Sequence, residues 1–95
     1  MQLRKRVDPK PEECLEGQAP LANMREGEKA TITHITGDIN VVRRLSEMGL
    51  TPGCELKLLR KCGFRGPIEV EVRGAALALG YVLASEICVQ PMKAP

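Results

Sequence analysis

The chain of 95 residues holds one histidine, four cysteines, 14 basic and 12 acidic side chains with which to do chemistry. Their spacing argues against catalysis. His34 lies in "ATITHITG" with no Ser or Cys beside it in a nucleophile motif. Glu69 and Glu71 alternate along "IEVEVR" and share a face with Arg73, which favours pairing in solvent over an acid/base couple. Neither "GFRG" nor "MREGEK" has the pattern of a phosphate-cradling loop. The chain is not expected to be an enzyme.

Metal chemistry has only scattered ligands. Cys14, Cys54, Cys62 and Cys88 form no CxxC and have no companion histidines. Cys54 and Cys62 bracket one predicted strand. Eight strand steps separate them by about 26 Å, beyond disulfide reach. Without a secretory leader, free thiols are expected. His34, Asp38, Glu47, Met48 and the thiols include donors suited to iron, copper or zinc. Their spacing composes no shell, so His34 and Asp38 are kept only as metal-ligand candidates.

Binding of a partner is better supplied. Arg43, Arg44 and Glu47 fall outside the apolar stripe of a predicted helix. Lys57, Arg60, Lys61 and Arg65 run towards the loop "CGFRGP" (62–67), where Phe64 sits beside Arg65 between two glycines. Aromatic and arginine side chains are favoured interface anchors. Phe64 either serves as such an anchor or folds back as a lid on a small core. Both readings stand at this point.

Composition narrows the partner. Hydrophobic content of 43% and charged content of 27% are those of an ordinary globule of one domain. A net charge of +2 is too small for a nucleic-acid binder. One Phe, one Tyr and no Trp leave almost nothing from which to build a stacking platform. The most apolar stretch, "AALALGYVLA", is half of the roughly 20 residues that a spanning helix needs. The basic start Arg4-Lys5-Arg6 is followed by "VDPKPEEC" rather than an apolar leader region. No membrane insertion and a cytoplasmic location are expected.

Positioning these groups falls to a few short elements. Residues 1–19 read as a polar, flexible tail, 20–90 as the folded domain and 91–95 as a frayed end. Gly27 marks a turn before a strand in "KATITHI", which Gly37-Asp38 ends. Asp38 or Asn40 can cap the next helix. Val41, Val42, Leu45 and Met48 recur at helical spacing, and Gly49 stands where a left-handed C-cap belongs. Pro52-Gly53 then suits a tight turn. "CELKLLRK" and "IEVEVR" alternate as a hairpin with opposite charges across its solvent face. "AALAL" is read as a strand, "YVLASE" as a helical turn and "ICVQ" as a last strand. Five short strands with one helix suggest a partly open β-barrel.

In order and spacing, "RRLSEMGLTPGCELKLLR" followed by "GPIEVEVRGAALALG" resembles the FeoA family, ferrous iron transport protein A. The matching positions are Arg44, Leu45, Met48, Gly49, Leu50, Pro52, Gly53, Gly66, Pro67, Val72, Arg73, Gly74 and Leu79. "PLANMREGEKATI" is similar to the family's opening segment. The resemblance implies a mainly β fold: a small SH3-like, partly open barrel of about five strands, one inserted helix near 40–48 and a short helical turn near 81–86. It implies a small cytoplasmic accessory of ferrous iron uptake that works by contact with the FeoB-type permease and its GTPase domain. Arg43, Arg44, Glu47, Phe64 and Arg65 are the residues expected to meet that partner. Leu45, Met48, Gly49, Pro52, Gly53, Pro67, Arg73 and Gly74 are expected to hold the fold. No cofactor is expected beyond weak or indirect contact with ferrous iron. The alternative is a small metal-binding or metal-sensing domain. Two departures from the family stand out: the long tail, and Ala75-Ala76 with Gly80-Tyr81 where polar residues are usual. The second makes 75–84 either deeper core or an exposed apolar face.

Overall fold

The computed structural model describes residues 14–92. In chain order the elements are β1 (Ala19–Pro20), a 3-10 turn (Leu21–Asn23), β2 (Lys29–Ile35), α1 (Ile39–Glu47), β3 (Glu55–Lys61), β4 (Ile68–Val72), β5 (Ala75–Leu79), α2 (Tyr81–Ser85) and β6 (Ile87–Pro91). All strand pairs are antiparallel, in the order β1-β6-β2-β3-β4-β5. The sheet does not close, so β1 and β5 are its edges.

Alternation does most of the building. Leu56 and Leu58 of β3, and Ile68, Val70 and Val72 of β4, point into one core with Ile32, Leu45, Leu50, Leu79, Ile87 and Val89. Glu69 and Glu71 point outward, and Arg60 donates to Glu69 at 3.2 Å across the hairpin. That hydrogen bond, then the carboxylate's charge, raises the pKa of the exposed guanidinium. β6 lies inside the sheet between β1 and β2; Ile87 and Val89 face the core, and Cys88, on the opposite face, is buried and bonded to Cys14.

The helix is fixed at both ends. Asp38 is the N-cap, its carboxylate accepting from the Val41 amide at 3.1 Å. At the other end Gly49 has φ +85°, its amide donating to Ser46 O and that of Leu50 to Leu45 O. These are the paired bonds of a Schellman cap, and Leu50 folds back into the core beside Leu45. Each buried leucine contributes about 1.5–3 kcal/mol by leaving water.

The structure corrects several expectations. There are six strands, not five: β1 was missed because two residues ending in proline carry no alternation. The fold reaches further than 20–90. Residues 14–18 are held by a disulfide between Cys14 and Cys88, by Thr33 donating to Gln18 and by Gln90 donating to Gly17 O. The expectation of four free thiols therefore holds only for Cys54 and Cys62. No local spacing signals a bond between cysteines 74 residues apart. The pairing of β1 with β6 brings them together, with Ala19 opposite Val89. At the C-terminus Pro91 belongs to β6, and the Met92 amide donates to Lys29 O. The expected frayed end is thus anchored at 91–92. Residues 1–13 of the expected tail, and 93–95, lie outside the described part.

Candidate functional site

The motif residues meet at a corner. Arg73 and Gly74 form the two-residue turn between β4 and β5, with φ of +52° and +82°. Such mirror-image turns match the twist of a hairpin and demand positive φ at both positions. Glycine meets that demand freely, whereas an arginine held there carries about 1–2 kcal/mol of local strain. The turn places Arg73 against the helix terminus: a Cβ on Gly49 would lie 3.4 Å from Arg73 Nη1. A cation beside the last carbonyls of a helix is favoured by the helix dipole. Gly49 is therefore required by its own φ, while the Arg73 tip stands at ordinary contact distance from it.

Beyond this corner α1 turns Arg43, Arg44 and Glu47 outward, all exposed. Ile39, which the sequence reading passed over, joins them at 67% exposure. Its position directly after the capping Asp38 and outside the Val41–Leu45–Met48 stripe was the available signal.

A second candidate surface is the loop 62–67, which leaves the other end of β4. That strand spans about 13 Å. The loop is closed by the Cys62 amide donating to Pro67 O at 3.0 Å. It is crowded within: a Cβ on Gly66 would run into the Cys62 carbonyl. Arg65 takes φ +59°, again in the left-handed region. The lid reading of Phe64 fails, because its ring is 90% exposed. Instead the Arg65 guanidinium sits 5.1 Å from the Phe64 ring centre and 6.0 Å from that of Tyr81. The chain's two aromatic rings thus share one cation, within the range of cation–π attraction. Between them opens a cleft of about 220 Å³. Sequence reasoning named Phe64 and Arg65 but missed Tyr81, which α2 delivers from the start of its first turn.

The apolar stretch 75–84 divides. Leu79 and Ala84 enter the core, while Ala75, Ala76 and Ala78 are exposed on the edge strand. The metal candidates are not assembled into a shell. Asp38 is engaged as the helix cap, and His34 is half-buried in β2 opposite Cys88. Among the described residues no three His, Cys, Asp or Glu side chains gather in one place. Nor is any described helix long and apolar enough to cross a membrane.

Residues 19–91 match the family model "FeoA domain". A curated relative, the "Putative Fe(2+) transport protein A" of Methanocaldococcus jannaschii, is 34% identical over 71 residues, covering 75% of this chain and 84% of its own length. A crystal structure described as "Iron Uptake Regulatory Protein (FeoA)" superposes with a TM-score of 0.74 at 35% identity, over 79% of this chain and 99% of that one. A manganese-dependent transcriptional repressor matches with a TM-score of 0.73 at 26% identity. There the shared part is 79% of this chain but only 42% of the repressor.

Proposed function

The chain belongs to the FeoA family and so to ferrous iron transport, and on that premise we propose that it is an accessory protein that docks on the cytoplasmic GTPase domain of a FeoB-type permease. It acts by contact and performs no chemistry of its own. The observation that carries this reading is the exposed Phe64 ring, stacked with Arg65 beside Tyr81. A soluble domain of so few aromatics gains nothing for its core from a ring held in water. Desolvating such a ring and its arginine against a partner gives a centre of binding energy. Arg43, Arg44 and Glu47 on α1 supply a second, charged contact that orients the docked pair.

The test is a binding titration with the GTPase domain of the cognate permease, nucleotide present. The double charge reversal Arg43→Glu/Arg44→Glu is expected to weaken binding at least tenfold, with a stability cost of only about 0.3–1 kcal/mol because Arg44 lies in the last turn of α1. Unchanged affinity would remove α1 from the contact surface.

The likeness to a manganese-dependent repressor favours a second reading, a small metal-responsive module. It predicts stoichiometric ferrous iron retained by the protein through gel filtration under anaerobic, reducing conditions. An eluate free of iron speaks against it.

A further inference from the structure

The bond between Cys14 and Cys88 joins two unequal partners. Cys88 belongs to β6, inside the sheet, and is 1% exposed. Cys14 is half-buried and begins a strap, residues 14–18, that lies outside the core. No residue of the strap belongs to the hydrophobic cluster, and Leu15 stands 67% exposed. Polar contacts lay it on the sheet. Thr33 donates to the Gln18 side chain at 2.9 Å, and Gln90 donates to Gly17 O at 3.2 Å. Directly after the strap the fold takes hold. Ala19 and Pro20 pair with β6, and Pro20 and Leu21 are fully buried.

We propose that this disulfide is a redox latch on the strap. Reduction frees 14–18 as far as a hinge at Ala19–Pro20 and leaves the rest of the sheet folded. The outer face of β2 and β6, where Thr33 and Cys88 lie beneath the strap, then opens to solvent. The physical argument is one of unequal anchoring. A segment that buries no apolar side chain opens at low free energy once its covalent tie is gone, whereas one that ends in the core does not. The reductant is a dithiol of the thioredoxin class. Its thiolate attacks the sulfur of Cys14, the better exposed of the two. The S–S bond breaks, the Cys88 sulfur leaves with the electron pair and takes up a proton, and a mixed disulfide joins Cys14 to the reductant. The second thiol of the reductant then closes the reductant's own disulfide. Cys14 leaves with its electron pair and takes up the second proton. Two electrons and two protons have passed to the chain. Its own buried free thiol, Cys54, faces the core and is not placed for this exchange. The latch goes beyond the docking reading and stands without it.

The test treats the oxidised, labelled full chain with reduced thioredoxin at neutral pH, without denaturant. Reduction is expected to shift the amides of residues 15–18, 33 and 88–90, while those of 56–58 and 68–72 keep their positions. A glutamate-specific protease is expected to cut after Glu16 at least about tenfold faster in the reduced chain. Oxidised dithiothreitol should restore the slow rate. Cys14→Ser should be cut at the fast rate with or without thioredoxin. A disulfide that survives until urea unfolds the chain would overturn the proposal. So would loss of the core amides together with the strap, or slow cutting after Glu16 once alkylation and mass show both thiols free. In each of those cases the bond is a staple of the fold and not a latch.

Discussion

The α1–β3 corner and the 62–67 loop are built from the same turn residues, glycine, proline and arginine, to opposite ends. At the corner every special residue closes something. Gly49 turns the chain so that Leu50 returns to the core, Gly53 with φ +94° donates to Ile32 O, and Arg73 lies against the helix end. In the loop the same left-handed backbone, at Gly63 and Arg65, opens something: it lifts Phe64 away from the core that could have taken it. A turn whose apolar residue is buried serves the fold, and a turn whose apolar residue is held in water is a candidate for binding.

That contrast can be broken by substitution, and the largest effect is expected at the corner. Leu50→Ala should lower stability by about 2–5 kcal/mol, since the site cannot collapse around the lost side chain. In a domain of this size each 1 kcal/mol moves the midpoint of thermal unfolding by about 4–8 °C, so calorimetry reads it directly. A loss under 1 kcal/mol would mean that Leu50 is not part of the packed corner. Next in size is the covalent tether. Cys14→Ser should cost about 2–4 kcal/mol in urea unfolding without reductant, because the bond closes a long loop of 74 residues. Added reductant should bring the wild type to the same midpoint as the variant.

Gly49→Val should cost about 1–3 kcal/mol, from forcing a β-branched residue to φ +85°. Gly49→Ala should cost less than Gly49→Val. Smallest of all is the expected effect of Phe64→Ser on stability, within about 0.5 kcal/mol, as for other exposed positions. A stability loss as large as that of Leu50→Ala would place Phe64 in the fold after all and erase the distinction between the two turns.

How far the sequence could be read follows the same division. The helix, the hairpin and the corner were legible because each rests on a local rule: a cap at Asp38 or Asn40, which Asp38 supplies, an inward stripe of which Val41, Leu45 and Met48 but not Val42 pack on the core, a left-handed glycine, and strict alternation in "IEVEV". What was not legible depends on distant partners. The disulfide between Cys14 and Cys88 needs β1 to pair with β6, and β1 has too few residues to announce itself. Tyr81 joined the site only because α2 returns it to the side of a loop some 16 residues earlier, from Arg65 to Tyr81. The exposure of Phe64 was undecidable from composition, because a glycine-flanked aromatic fits a lid and an anchor equally well. Arg73 was recognised by its motif alone, and its approach to Gly49 gives that motif a physical reason.

The central claim is that both outward surfaces, on α1 and at the loop, meet one partner. It is tested most directly by an amide chemical-shift titration of the labelled full chain with the nucleotide-loaded GTPase domain of its cognate permease. The account predicts localised shifts at residues 41–48 and 62–67, with the buried strands β4 and β6 unmoved. Shifts confined to any other face, or none at saturating partner, would contradict it.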